Sequence, residues 1–173
     1  GKIVSYTVIF FDFECGVINP MKLLIVDDEK LTREGILKSL PLEKLGIHQT
    51  FLADDGIHGL KIALKEKPDL ILTDVRNPHM SGVEMAEEIL KVLPNAIILF
   101  MSAYSDKEYL KAAIKLKAVS YVDKPLDMNE LTEALSEGIR QYRSIYASLN
   151  AKWMHEYNLR SQLAQLLTEA DPD

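Results

Sequence analysis

The residues of this chain that could act on a charged ligand recur at one kind of place, the polar end of a short apolar run. Asp74 closes Leu70-Ile71-Leu72-Thr73, and Asp27-Asp28 close Leu23-Leu24-Ile25-Val26. Ser102 follows the run 96–101, and Lys124-Pro125 follows the run 119–122. Carboxylates brought together repel one another unless a cation neutralises them. Mg²⁺, which binds through a few carboxylates and keeps several waters, suits such a pocket. The Ser102 hydroxyl and the Lys124 ammonium would add a hydrogen-bond donor and a fixed positive charge for an anion centred on Asp74. That set serves phosphoryl transfer onto a carboxylate, with cation and lysine offsetting charge on the phosphoryl oxygens while Asp74 attacks. Taken singly the residues have plainer readings: strand-ending aspartates often cap the next loop, Asp27-Asp28 could be a solvated loop, and Ser102 an ordinary strand-end hydroxyl.

What must position them is a set of alternating elements. The run 70–74, preceded by Pro68-Asp69 and stopped by Pro78, reads as a strand buried on both faces. Further strands are predicted at 22–27, 48–53, 96–101 and 119–122. Helices are predicted at 31–40, with Leu31, Ile36, Leu37 and Leu40 on one side, and at 57–65, carrying Leu60, Ile62, Ala63 and Leu64. Two more run from Ser81-Gly82 to near Pro94 and, capped by Asp106, from 106 to 116. A long last helix starts at Asp127 or Asn129. Strands alternating with helices predict an α/β fold whose parallel sheet carries helices on both faces. All the strand carboxyl ends then share one edge, where open sheets place their ligands. Asp54-Asp55-Gly56, at the second strand end, reads as a turn and helix cap.

The totals narrow the function classes. The 173 residues suit one domain with an extension. With 26 acidic against 20 basic residues the charge is −6, which argues against broad binding to nucleic acid. A single cysteine, Cys15, excludes an internal disulfide and fits the cytoplasm. No apolar run approaches the ~20 residues of a membrane span. His48, His58 and His79 show no metal-ligand spacing. Residues 1–20 break at Asn19-Pro20, and Asp12 and Glu14 interrupt their apolar stretch too early for a signal peptide. They are expected to be a leader or an added segment before a natural start at Met21, with an extra edge strand over 2–9 as the alternative.

In order and spacing, Leu24-Ile25-Val26-Asp27-Asp28-Glu29, Asp74 with Pro78 and Gly82 downstream, Ser102-Ala103 and Tyr121-Val122-Asp123-Lys124-Pro125 resemble the receiver domain of two-component response regulators over residues 21–143. The resemblance implies a doubly wound, flavodoxin-like five-stranded sheet of order 2-1-3-4-5. It implies that Asp74 is the phosphoacceptor. Asp27, Asp28, Asp74 and the main-chain carbonyl of Arg76 would surround Mg²⁺. Ser102 would be the switch hydroxyl, with Tyr121 the aromatic that moves with it. Lys124 would pair with the phosphoryl oxygens, and the Lys124-Pro125 bond would be cis. The implied partner is a sensor histidine kinase or phosphotransfer protein, and the implied role a phosphorylation-dependent switch rather than an enzyme. Leu31-Thr32-Arg33-Glu34-Gly35, Ser102-Ala103-Tyr104-Ser105-Asp106 with Glu108-Tyr109, and Val119-Ser120-Tyr121 are most similar to receivers that precede AraC-type DNA-binding domains. Transcription would be controlled through such an output domain, which is not in this chain. Two positions depart from the pattern: Asn77 stands where methionine is common, and Lys117 where Leu-Gly-Ala is usual. A lysine in place of a glycine just past the helix end costs about 1 kcal/mol or ends the helix differently.

The extension 144–173 carries its own pattern. From Leu131, apolar residues recur at 135, 139, 142, 146, 149 and 153, alternating spacings of four and three. This predicts a helix to about 168 with a coiled-coil-like seam. The seam is expected to support a parallel homodimer or to lead toward an output domain, and a helix packed back on its own domain is the alternative. Met154-His155-Glu156 resembles the His-Glu pair of a histidine kinase helix but lacks the following proline. Four basic against six acidic residues from 131 onward make no DNA-binding arm. A Mg²⁺-dependent phosphatase with an aspartyl nucleophile is the competing enzyme class. It would need a catalytic acid two residues after Asp74, where the chain has Arg76.

Overall fold

A computed structural model describes residues 20–103 and 120–169. The expected leader, the helix at 106–116, the stretch 104–109 and Lys117 lie outside the described residues. In chain order the elements are β1 (Met21–Val26), α1 (Lys30–Ser39), α2 (Leu42–Leu45), β2 (Ile47–Ala53), α3 (Gly56–Glu66), β3 (Leu70–Asp74), α4 (Gly82–Val92), β4 (Ile97–Ala103), β5 (Ser120–Lys124) and α5 (Met128–Glu169). The five strands are parallel in the order β2-β1-β3-β4-β5. This is the flavodoxin-like sheet that the resemblance implies.

The strands bury both faces because their apolar runs are continuous. Leu23, Ile25, Leu70, Leu72, Leu99 and Met101 point to one side, against Ile36 of α1 and Leu131, Leu135 and Ile139 of α5. The alternate residues Leu24, Val26, Ile71, Ile98 and Phe100 point to the other, against Ala63 of α3 and Val83, Met85, Ala86 and Ile89 of α4. Each fully buried leucine or isoleucine contributes about 1.5–3 kcal/mol relative to exposure, so these side chains hold the sheet between its helices. Caps fix where the helices start. The Asp55 side chain accepts from His58 N at 2.7 Å, as expected of the acidic turn. Ser81 and Glu84 form a reciprocal capping box on α4. Asp127 Oδ1 accepts from Asn129 N and Glu130 N at 2.7 and 3.1 Å, which makes Asp127 rather than Asn129 the start of α5.

Several expectations need correction. Leu31 does not share the core side of α1: it is 83% exposed, because its position lies well around the helix from Ile36. Leu64 likewise faces outward from α3. The short helix α2 was not expected; it ends on Gly46, whose φ of +80° glycine adopts at little steric cost. Strand β4 runs through Ser102 instead of stopping before it. The seam residues Leu131, Leu135 and Ile139 are buried in the chain's own core, with the sheet and Ile36 of α1, since a helix on a sheet needs the same three-four spacing as a coiled coil. As expected, α5 runs on without a break past residue 143, to Glu169. From Tyr146 onward its apolar residues are exposed.

Candidate functional site

The parallel sheet brings Asp27, Asp74, Ser102 and Lys124 to one edge. Asp27 follows the last residue of β1, Asp74 ends β3, Ser102 is the penultimate residue of β4, and Lys124 ends β5. Carboxylate oxygens of Asp27, Asp28 and Asp74 lie within 4.8 Å of one another, with Asp27 and Asp74 buried and Asp28 exposed. Lys124 Nζ donates to Asp27 Oδ2 at 2.7 Å and to Asp74 Oδ2. The ammonium thus touches two of the three carboxylates, and no contact of it with Asp28 joins them. All-oxygen donors with one water-exposed member fit a hard divalent cation.

Backbone donors aim the two buried carboxylates. Asp27 Oδ1 accepts from Glu29 N at 2.9 Å, and Asp74 Oδ1 accepts from Arg76 N at 2.8 Å. The guanidinium of Arg33, one turn into α1, donates to the Asp27 carbonyl, a contact not anticipated from sequence. Burial pushes the Asp27 carboxyl above its usual range even though Lys124 and the Glu29 amide pull it down. For Lys124 burial acts downward, but the hydrogen bonds from its ammonium to Asp27 and Asp74 outweigh it and leave the ammonium harder to deprotonate than usual.

On the β4–β5 side, the Tyr121 hydroxyl donates to Ser102 Oγ, and Ser102 Oγ donates to the Ala103 carbonyl at 2.9 Å. The sequence pairs these two residues only through the family pattern; the geometry joins them directly. The Lys124-Pro125 peptide is cis.

The loop after Asp74 is tightly held. Asn77 is buried, and its Nδ2 donates to Thr73 Oγ1 and to the Asp74 carbonyl, both at 2.9 Å. Its Oδ1 has no partner. A Cβ on Gly82 would lie 2.0 Å from the Asp74 carbonyl oxygen, and one on Gly56 2.0 Å from that of Met80. His79 holds φ at +64° with Nδ1 3.4 Å from Asp55 Oδ2. Of these, Asn77 was visible in the sequence as a departure from the family pattern and Gly82 as part of it, but neither contact with Asp74 was. Beside Lys124 a cleft of about 540 Å³ opens between α1 and the start of α5, lined by Glu29, Thr32, Ile36, Pro125 and Met128 among others. Arg76 and Asp74 thus meet through the Arg76 amide, while among the described residues no histidine joins the Asp27, Asp28 and Asp74 group; His58 and His79 pair with Asp54 and Asp55 instead.

The family model described as the response regulator receiver domain matches residues 23–136. The transcriptional regulatory protein HptR of Staphylococcus aureus (strain NCTC 8325) is 34% identical over 119 residues, 69% of this chain and 46% of that protein. A crystal structure of a two-component transcriptional regulator AraC from Clostridium phytofermentans ISDg aligns with a TM-score of 0.68 at 49% identity, covering 72% of this chain and 96% of that one. The REC domain of AraT, a response regulator from Geobacillus stearothermophilus, aligns with a TM-score of 0.70 at 28% identity, covering 73% and 98%. The chain spans about half the length of the relatives it matches. Among the described residues, no helix is long and apolar enough to cross a membrane.

Proposed function

The chain belongs to the response regulator receiver family, and on that premise we propose that Asp74 takes a phosphoryl group from the phosphohistidine of a sensor histidine kinase or phosphotransfer protein. A receiver is a regulatory domain whose phosphorylation serves signalling. The observation that carries the assignment to Asp74 is the contact of Lys124 with both Asp27 and Asp74 at the carboxyl edge of the sheet.

In the step proposed, an Asp74 carboxylate oxygen attacks phosphorus and a P–O bond forms. The P–N bond to the donor imidazole, whose other ring nitrogen carries a proton, breaks; the electron pair stays on the nitrogen that held phosphorus, and the ring leaves as neutral imidazole. Asp27, Asp28, Asp74 and the Arg76 carbonyl would hold Mg²⁺, which when bound offsets charge on the phosphoryl oxygens. Lys124 exchanges its contact with Asp74 for a phosphoryl oxygen while Asp27 keeps it oriented. Ser102 Oγ leaves the Ala103 carbonyl to donate to the same group, and Tyr121, bonded to Ser102, follows it. The same groups assist later hydrolysis of the acyl phosphate. The cleft beside Lys124 offers the donor an approach from the α1 side. We place the protein in the cytoplasm. Its outputs would be a transcriptional domain reached through α5 and a homodimer for which the exposed part of α5 supplies surface.

The test is incorporation of phosphate from acetyl phosphate in the presence of Mg²⁺. Labelling should vanish in Asp74→Ala and on chelation of the metal. Undiminished labelling of Asp74→Ala would remove the assignment, and multiple turnover of phosphomonoesters would favour the phosphatase class instead.

A further inference from the structure

The exposed half of α5 has a symmetry that the receiver chemistry does not use. Tyr146, Leu149, Leu159, Leu163, Leu166 and Leu167 are 36%, 43%, 47%, 60%, 62% and 72% exposed. A helix of this length gains most of its stability by packing an apolar face. Along the stripe that continues from Tyr142, the order is Leu149, Trp153, Glu156, Arg160, Leu163, Leu167: apolar, then a charged pair, then apolar again. Residue 158 is the midpoint of 149 and 167, of 153 and 163, and of 156 and 160.

We propose that residues 149–167 pair with the same residues of a second copy, antiparallel, about a two-fold axis near Asn158. Leu149 then meets Leu167 of the second copy and Trp153 meets its Leu163. Glu156 meets its Arg160, twice by symmetry. A parallel, in-register pairing would instead set Glu156 against Glu156, Arg160 against Arg160, and the two Trp153 rings against each other. Juxtaposed like charges oppose association, whereas opposite charges fix register. Within one chain Arg160 Nη2 already donates to Glu156 Oε1 at 2.6 Å, with side chains 78% and 63% exposed. The guanidinium has five N–H donors, so it can serve its own glutamate and that of the second copy together. The antiparallel arrangement is an alternative to the parallel one expected from the seam. It rests on the homodimer named above and not on the phosphoryl chemistry.

The experiment uses the full chain carrying Cys15→Ser, with oligomeric state read by sedimentation equilibrium and α5 by circular dichroism. A dimer is expected. Under mild oxidation, Leu149→Cys mixed with Leu167→Cys should give a disulfide-linked pair. Leu163→Cys alone should give none, because its two copies would sit roughly 15 Å apart along the axis. Glu156→Arg should weaken the dimer at least about tenfold through like charges at both ends of the layer, and adding Arg160→Glu should restore it. A monomer would overturn the homodimer and this pairing with it, leaving Asp74 labelling unchanged. A dimer in which Leu163→Cys links to itself would overturn the antiparallel arrangement alone. Dimers indifferent to Glu156→Arg would overturn the charged layer.

Discussion

Lys124 Nζ stands 2.7 Å from Asp27 Oδ2, a contact between residues 97 positions apart. The same ammonium also reaches Asp74. A residue at the end of β5 thereby ties together the ends of β1 and β3, and the sheet order that makes this contact also assembles the site. In the metal-free protein Lys124 is the counter-charge that lets two carboxylates be buried side by side. Stability and site chemistry therefore share one group.

Because the folded state holds the Lys124 proton more tightly than the unfolded chain does, its pairing stabilises fully below the ordinary lysine pKa. That contribution is lost as pH rises through the folded value. Metal-free protein should therefore lose stability in the alkaline range above about pH 10, and Lys124→Met should lack this alkaline component. At pH 7, Lys124→Met strands the buried Asp27 and Asp74 carboxylates, a loss of about 3 kcal/mol in urea unfolding. The deficit should shrink as acid protonates Asp27. Superimposable stability–pH curves for the two proteins would refute the coupling.

Asp27 shifts in the same direction, so stability again falls as pH rises, but here the charged form is the penalised one. Burial raises its folded pKa, so the folded state is penalised above that value and relieved as pH falls below the unfolded one. Asp27→Asn removes the penalty while Lys124 keeps Asp74. Metal-free Asp27→Asn should be as stable as the parent at pH 7, or more stable by about 1 kcal/mol, yet lose Mg²⁺-dependent labelling of Asp74. Thermal melts in chelator, set beside labelling in Mg²⁺, separate the two effects. A variant both less stable and fully labelled would contradict both halves.

Much of the sheet and its polar edge was legible in the sequence because buried strands need unbroken apolar runs, and Leu70–Asp74 is one. Asp27, Asp74, Ser102 and Lys124 fall at strand ends, so topology alone brings them together. Leu31 misled because its residue type suggested burial while its angular position did not. Leu131, Leu135 and Ile139 misled for a different reason: a helix on its own sheet and a helix on a twin repeat at the same spacing. The clamps around Asp74 depend on contacts that local pattern does not encode. Nothing near Gly82 in sequence announces the Asp74 carbonyl pressed against its Cα, nor the left-handed φ of His79.

Gly82 and Gly35 form a matched pair for testing that clamp. A Cβ at Gly82 would meet the Asp74 carbonyl oxygen at 2.0 Å and Thr73 Oγ1 at 2.8 Å, whereas one at Gly35 meets nothing within 4 Å. Backbone cannot yield as a flexible side chain does, so Gly82→Ala should cost about 3 kcal/mol and slow labelling by shifting Asp74. Gly35→Ala, inside α1, should stabilise by about 0.5–1 kcal/mol. Urea midpoints for the two variants should move in opposite directions, and a harmless Gly82→Ala would mean that the loop gives way without effort.

Asn77 makes the sharpest single-atom test. Its Nδ2 supplies two donors, to Thr73 Oγ1 and the Asp74 carbonyl, while its Oδ1 is buried without a partner. An unsatisfied buried acceptor costs about 1–3 kcal/mol, so what the donors contribute is partly cancelled on the same side chain. Asn77→Met removes donors and orphan together and should change stability by no more than about 1 kcal/mol. Asn77→Asp keeps the shape but loses both donors and sets a charge against two oxygens, an expected loss of about 3 kcal/mol at pH 7. Since both acceptors belong to β3, the same change should disturb the peptide carrying Asp74 and lower its labelling rate. Equal urea midpoints for Asn77→Asp and the parent would show that the amide donors do not hold the loop.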